Sequence, residues 1–190
     1  MIMKIILVRH GRTISNNEKT FSEESTPLCE EAYQELLLTK EKLADFHFEK
    51  VYASPLLRAV DTAKVLGFEN PILDPRMQER DFGAFKGKTY KQIVEENSLA
   101  TKDWFSDLKD GKPPAGESSF EVFTRVSAFL DDIASTKTDT LVICHYGSIT
   151  MAMAWALKNF DSWMSFAPEN GGISEIETDG ENRVITKLNY

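Results

Sequence analysis

The aliphatic segment KIILVR, residues 4 to 9, decides the fold, and it runs directly into His10 and Gly11. Its apolar, partly β-branched residues occupy successive positions over a length typical of a strand, which predicts a strand buried on both faces. Strands of that kind lie in parallel sheets that helices cover on both sides. The segment therefore predicts an α/β fold in which the first strand ends at Arg9 and His10.

Strand and helix patterns alternate along the rest of the chain. Two further aliphatic or β-branched runs predict strands at residues 50–53 and 140–144. Helical spacing of apolar residues predicts helices at residues 30–44, 54–66, 118–133 and 148–157. The polar residues 11–27 predict a loop, and the two runs that flank Asp179-Gly180, residues 172–178 and 183–189, predict a hairpin.

This alternation predicts a three-layer α/β/α fold with a mostly parallel central sheet and an antiparallel C-terminal edge hairpin. In the second helix of the pattern, Ser54-Pro55 supplies an N-cap and a first-turn proline, which places Arg58 in the first turn. The first helix is expected to bury one face, made of Tyr33, Leu36, Leu37, Leu43 and Ala44.

The length of 190 residues predicts a single domain, residues 1–190. Within it, residues 82–117 are rich in Gly, Pro, Lys and Asp, with helical patches only near 90–96 and 101–108. We interpret this segment as a small helical lid inserted into the domain.

The balance of charge restricts the partners. A formal net charge of −8 and a pI near 5.0 oppose binding to nucleic acid or to an anionic membrane, both of which need clustered Lys and Arg. Two cysteines, Cys29 and Cys144, form no disulfide framework, although a single bridge is left open. The N-terminal apolar run is too short for a signal peptide or a membrane span, so we expect a cytoplasmic location.

Three side chains with anion-binding chemistry follow predicted strands. His10 and His145 come directly after aliphatic runs, and Arg58 lies in the helix that follows another strand. Ligands of open α/β sheets bind at the carboxyl ends of the strands. The topology therefore predicts that these three side chains meet at one edge of the sheet.

Four motifs resemble those of the histidine phosphatase (phosphoglycerate-mutase-like) superfamily, and they occur in the superfamily's order. They are LVRHGRT around His10, SPLLRAVDTA around Arg58, QERDFG around Glu79 and VICHYGSI around His145. The segment PPAGESSFEVFTRVSAFL, which starts at Pro113, is similar to a helix start in the small phosphatases of the superfamily, including α-ribazole-phosphate and broad-specificity types.

The resemblance implies a phosphatase that hydrolyses small phosphate monoesters through a phosphohistidine on His10, with no metal ion or other cofactor. The implied catalytic residues are His10, Glu79, His145, Arg9 and Arg58. The implied phosphate- or substrate-binding residues are Asn16, Gly11, Arg12, Tyr146, Gly147, Lys88 and Tyr90.

Elementary chemistry agrees with these roles. A neutral imidazole attacks phosphorus, and Arg9 and Arg58 would clamp the phosphate oxygens while lowering the pKa of His10 by like-charge repulsion. Gly11 would permit close approach of the phosphate. Glu79 would protonate the leaving oxygen and then activate water.

The chain departs from the superfamily's pattern at three positions. Arg12 stands where Glu or Gln is usual, Tyr146 where Gly is common, and Lys86 where an acidic residue is frequent. We expect Arg12 to add positive charge at the pocket mouth, the Tyr146 ring to narrow the cleft, and Lys86, Lys88 and Tyr90 to face the non-reacting end of the substrate.

Two alternatives stay open: a phosphoglycerate-type mutase, and a non-catalytic domain that binds phosphate ligands. Mutases of this resemblance usually have longer chains with insertions, so hydrolysis is favoured. The expected partner is a small-molecule phosphate ester, with no nucleic acid and no membrane, and the sequence leaves a homodimer open.

Overall fold

The computed structural model describes residues 2–96 and 98–190. Its strands are β1 (Met3–Arg9), β2 (Lys50–Ala53), β3 (Ile72–Leu73), β4 (Thr140–Cys144), β5 (Ile173–Thr178) and β6 (Arg183–Lys187). Its α-helices are α1 (Ile14–Glu18), α2 (Glu30–Leu43), α3 (Leu57–Leu66), α4 (Tyr90–Glu96), α5 (Ser98–Ser106), α6 (Ser119–Thr136) and α7 (Tyr146–Ala156). Short 3₁₀ helices occur at Pro75–Met77, Gly83–Phe85 and Phe160–Ser165.

Among the described residues, the strands form one six-stranded sheet in the order β3-β2-β4-β1-β5-β6. Strands β1, β2, β3 and β4 are mutually parallel, whereas β5 is antiparallel to both β1 and β6. The predicted parallel sheet with an antiparallel C-terminal hairpin is confirmed. In the register, Arg9 pairs with Cys144, so His10 and His145 leave the sheet at the same edge.

Helices cover both faces of the sheet. Ile5 and Leu7 of β1 face a core formed with α6 and α7, and Ile6 and Val8 face a second core formed with α2 and α3. All four side chains are fully buried. This alternation along one strand, with both faces apolar, is the physical basis of the three-layer fold, because each face needs its own layer of helix to exclude water.

Four local expectations were wrong. Within the predicted loop 11–27 lies α1, which begins because Thr13 and Asn16 form a reciprocal capping box. Helix α3 begins at Leu57 rather than after Ser54, and α7 begins at Tyr146, two residues before the predicted start. The two-residue strand β3 was not predicted, because a run so short carries no period.

The buried face of α2 also differs from the expectation. Tyr33 and Leu37 are nearly half exposed, and the residues turned inward are Ala32, Leu36, Thr39 and Leu43. The small residues Ala32 and Thr39 let the helix approach the sheet closely. A prediction based only on large apolar residues does not detect this face.

The predicted lid, residues 82–117, lies between β3 and α6. It contains α4 and α5 and a small apolar cluster of Phe85, Ile93 and Trp104, apart from the two main cores. Its role as a lid remains a prediction. No helix in the described part of the chain is long and apolar enough to cross a membrane.

Candidate active site

His10 lies at the carboxyl end of β1 and is 3% exposed. Its backbone N–H donates to the carbonyl of Cys144 (2.9 Å), which ties the residue to the end of β4. Its ring Nδ1 lies 2.7 Å from the carbonyl oxygen of Gly11. Because a carbonyl oxygen only accepts, Nδ1 carries the proton and Nε2 of the neutral ring has a lone pair available.

The surroundings of His10 favour that neutral form. Burial, followed by the positive charges of Arg58 and Arg9, holds the pKa of His10 well below its ordinary value. The predicted effect of the two arginines is confirmed in direction, and burial is the larger cause. The ring of His10 is therefore unprotonated on Nε2 at neutral pH.

Two arginines near this ring, Arg9 and Arg58, each have a guanidinium nitrogen without a hydrogen-bond partner among the described residues. Arg58 is 2% exposed, and its Nη1 donates to the carbonyl of Glu23 at 2.9 Å. The Nη1 of Arg9 donates to the carbonyl of Pro168, also at 2.9 Å. The Nε of each is buried without a hydrogen-bond partner among the described residues. Buried donors of this kind are costly unless an anion accepts from them.

His145, at the end of β4, lies against His10 with 5.1 Å between the ring centroids. Its Nε2 is 2.7 Å from the hydroxyl of Ser54. That hydroxyl oxygen accepts from the N–H of Leu56 (3.3 Å), and His145 Nε2 is the only acceptor within its reach among the described residues, so its hydrogen is directed to His145 Nε2. The proton of the neutral His145 ring therefore lies on Nδ1, which is buried and unpartnered within the described residues.

Burial and the neighbouring charges, Arg58 first, hold the pKa of His145 well below its ordinary value. The two histidines thus face each other as neutral Nδ1–H rings that bind the protein through different nitrogens, Nδ1 in His10 and Nε2 in His145. One presents a lone pair and the other an N–H donor.

Glu79 reaches the site across the N-terminus of α7. Its carboxylate accepts from the backbone N–H of Gly147 at 3.1 and 3.3 Å and from Arg80 N–H at 2.9 Å. A Cβ atom at position 147 would lie 2.3 Å from Glu79 Oε1, so this contact requires glycine. The helix N-terminus favours the negative charge that it holds.

The segment that carries Glu79 is anchored by α6. Arg125 donates to the carbonyls of Arg76 (2.7 Å), Gln78 (2.8 Å) and Glu79 (3.1 Å). Glu117 neutralises this guanidinium through contacts of 2.7 and 2.9 Å. One partly buried guanidinium thereby binds three carbonyl groups of the short segment that carries Glu79.

The side chain of Asn170 connects Asn16 to the backbone of His10. The side-chain nitrogen of Asn170 donates to the carbonyl of His10 (3.0 Å) and lies 3.3 Å from Asn16 Oδ1. Asn16 Oδ1 also accepts from the backbone N–H of Thr13 at 3.0 Å. These contacts commit the oxygen of Asn16 to the protein and leave its amide nitrogen as the group that would bind phosphate.

Two predicted binding residues, Gly11 and Tyr146, make contacts within the protein that account for their positions. A Cβ atom at Gly11 would lie 2.8 Å from Leu36 Cδ1, so this glycine permits α2 to pack against the loop. The Tyr146 ring lies under Arg9, whose Cζ is 5.2 Å from the ring centroid, and its hydroxyl donates to the carbonyl of Phe166 (3.0 Å). Tyr146 thus orients the Arg9 guanidinium.

Three other predicted residues are not brought to this cluster. Arg12 forms an exposed ion pair with Glu35 (3.2 Å), and Lys88 pairs with Glu96. The ring of Tyr90 packs edge-on against Phe105, with centroids 5.4 Å apart. The sequence patterns did not predict a role at the site for Ser54, Asn170 or Arg125. Ser54 carried a detectable signal, because it follows a strand just as His10 and His145 do.

A family model of the histidine phosphatase superfamily (branch 1) matches residues 5–190. The chain belongs to this superfamily. Among the relatives of this histidine phosphatase superfamily member, phosphoserine phosphatase 1 of Hydrogenobacter thermophilus is 28% identical over 196 residues, which cover 99% of this chain and 92% of the relative. The adenosylcobalamin/alpha-ribazole phosphatase of Salmonella typhimurium is 30% identical over 160 residues, covering 80% and 78% respectively.

The fold of this superfamily member also matches solved structures. The alpha-ribazole phosphatase from Shigella flexneri has a TM-score of 0.91 at 24% identity, covering 99% of this chain and 96% of that chain. The likeness extends across the whole sheet and its helical layers, so the fold is shared throughout.

Proposed function

We propose that this histidine phosphatase superfamily member is a phosphoric monoester hydrolase that transfers phosphate first to His10 and then to water. The observation that carries the proposal is the neutral His10 ring beside the buried Arg58 and the partly buried Arg9, whose Nε atoms are buried and have no hydrogen-bond partner among the described residues. Relatives named as phosphatases support the reaction class.

In the first half-reaction, His10 Nε2 attacks phosphorus and the bond from phosphorus to the ester oxygen breaks. Arg9 and Arg58 donate to the phosphate oxygens, whose charge is spread widely in the transition state. His145 Nδ1–H and the amide nitrogen of Asn16 add donors. Glu79, which binds a proton when it faces the dianionic ester, delivers that proton to the departing oxygen, and the alcohol leaves.

In the second half-reaction, water attacks the phosphohistidine and the bond from phosphorus to Nε2 breaks. Glu79, now a carboxylate, accepts a proton from the water, as microscopic reversibility requires. The backbone N–H of Gly147 stabilises that carboxylate between the two steps. Every proton and charge in this cycle is handled by side chains of the chain itself, so the reaction is proposed to proceed without a metal ion or cofactor.

We further propose a cytoplasmic location and a small phosphate ester as the partner. Cys29 and Cys144 are both buried and unpaired, as suits a reducing compartment. The site's positive charge is local, in a chain of net charge −8, which favours a small anion over an extended polyanion.

Hydrolysis of an aryl phosphate in excess EDTA tests the function. We expect wild-type turnover to persist in EDTA and His10→Ala to lose about 10⁴-fold or more in kcat, since the nucleophile is gone. His47→Ala, which removes an exposed histidine, is the control and should retain activity. Activity that survives His10→Ala would refute the nucleophile. Failure of the wild type to hydrolyse any ester, with transfer between positions of a sugar acid instead, would establish a mutase.

A further inference from the structure

Glu79 lines three cavities. The largest, of about 830 Å³, borders neither Arg58 nor Gly147, and the other two, which border the site, differ in chemistry. One, of about 50 Å³, lies on the side of Arg58 and Lys86. The other, of about 220 Å³, lies on the side of Tyr146 and Gly147. Glu79 is the proposed proton donor to the ester oxygen, so the remainder of a leaving group must enter one of these spaces.

The smaller cavity is poorly suited to an anionic leaving group. Of its three cations, Arg58, Arg80 and Lys86, the last is already paired with Glu24 and lies 2.8 Å from Asp81. Glu23 and Glu79 line the same space, so its four carboxylates outnumber its cations. A carboxylate or second phosphate placed there would meet this excess of negative side chains in less than a quarter of the volume of the other cavity.

The larger cavity is walled by aromatic and aliphatic side chains from four parts of the fold. Phe82 and Trp104 come from the predicted lid, Val122 from α6, Met151 from α7 and Trp163 from the 3₁₀ helix at Phe160–Ser165. Residues so far apart in the chain converge on one space, which is the usual construction of a small-molecule site.

The polar atoms in this wall are already satisfied. Arg80 donates to the carbonyl of Glu117 (2.8 Å), the hydroxyl of Ser119 (2.9 Å) and the carbonyl of Gly111 (2.9 Å). Its guanidinium also lies over the Trp104 ring, 5.2 Å from the centroid. A charged group in the cavity would therefore be desolvated without a partner, at a large cost in free energy.

Resting on the function proposed above, we infer that this cavity is the leaving-group subsite and that the substrate is the monophosphate of an apolar, ring-bearing alcohol. An engineered apolar cavity of about 150 Å³ binds benzene. At about 220 Å³, the present one accommodates a substituted ring or a compact two-ring group. Phosphate esters of small charged alcohols, O-phosphoserine included, are poor substrates by the same argument.

The test compares kcat/KM for 2-phenylethyl phosphate, ethyl phosphate and O-phosphoserine, all esters of primary alcohols. Each methylene in a fitting apolar pocket is worth about tenfold or more in specificity. We expect 2-phenylethyl phosphate to exceed both other esters by about tenfold to about 100-fold. Trp163→Ala, which removes one wall, should lower the ratio of phenylethyl to ethyl ester by about tenfold.

Phe160→Ala is the matched control, because Phe160 is an aromatic residue of the same 3₁₀ helix that packs on Phe120 and Phe123 and does not line the cavity. In Phe160→Ala, the ratio of kcat/KM for the phenylethyl and ethyl esters should equal that of the wild type. Equal or better turnover of O-phosphoserine by the wild type would overturn the inference, and so would a ratio unchanged by Trp163→Ala. Should that variant not fold, the wild-type ratio decides alone. Hydrolysis of none of the esters, nor of an aryl phosphate, would instead refute the proposed function itself.

Discussion

The two active-site histidines differ in which ring nitrogen is tied to the protein. His10 commits Nδ1 to the Gly11 carbonyl, and His145 commits Nε2 to the Ser54 hydroxyl. In each ring the hydrogen bond on one nitrogen determines the state of the other. In the proposed mechanism His10 attacks and His145 donates, and the different hydrogen-bond partners of the two rings account for this difference.

Ser54 therefore acts as a positioning residue for His145. We expect Ser54→Ala to lower kcat/KM by about tenfold or more, because the His145 ring loses the donor that places its proton on Nδ1. Ser54→Thr should restore most of the activity. Steady-state kinetics with an aryl phosphate measures the effect.

Ser174→Ala is the control for that experiment, since Ser174 is equally buried and its hydroxyl has no hydrogen-bond partner in the described part of the chain. It should change stability without changing kcat/KM. Equal kinetic losses in the two alanine variants would mean that Ser54 serves the fold rather than His145.

At the scale of elements, the site is a junction of strand ends and one helix start. Strands β1, β2 and β4 deliver His10, Ser54 and His145, and the N-terminus of α7 supplies the N–H of Gly147 to Glu79. Glu79 itself lies on irregular backbone, and Arg125 of α6 holds that backbone in place. In the proposed mechanism, α6 thus positions the proton donor Glu79 through Arg125.

We expect Arg125→Gln to lower kcat by about tenfold, because the three carbonyls lose their shared donor and Glu79 is no longer held at its working distance. KM should change less, since the arginine clamps are untouched. Arg183→Gln is the matched control: that guanidinium is as buried, with 17% of its side chain exposed against 19% for Arg125, and it likewise donates to a backbone carbonyl and a carboxylate. If both variants lost kcat equally, the effect would be one of general stability.

For the whole molecule, the buried neutral histidines link stability to pH. The pKa values of His10 and His145 are lowered in the folded state, so between those values and about 6.5 the unfolded chain binds protons that the folded chain does not. The free energy of unfolding must then decrease as the pH falls through that window.

The free energy of unfolding, plotted against pH, has a positive slope in this window. We expect His10→Gln to lower that slope by about 1 kcal/mol per pH unit between about pH 6.5 and pH 5. Denaturant unfolding at several pH values measures it. The control, His47→Gln, changes an exposed histidine and should leave the slope unaltered. A slope identical in the wild type and His10→Gln would show that His10 is not buried in its neutral form.

The α/β architecture and the central residues of the candidate site follow from local patterns in the sequence. Aliphatic runs with no polar alternation specify strands buried on both faces, and a side chain directly after such a run is carried to the ligand-binding edge. That local logic was sufficient to predict that His10, Arg58 and His145 meet, and to identify Arg9 and Glu79 from their motifs.

Contacts between distant segments determine which atoms of those residues are free to bind a ligand and which are hydrogen-bonded to the protein. The partner of His145 lies 91 residues away in the chain, and the N–H that holds Glu79 lies 68 residues away. The apolar subsite likewise needs side chains from the lid, α6, α7 and the 3₁₀ helix at Phe160–Ser165 to meet. Periodicity reports what each segment buries, whereas tautomers, tethered carboxylates and cavities arise from contacts between segments, which a one-dimensional pattern does not encode.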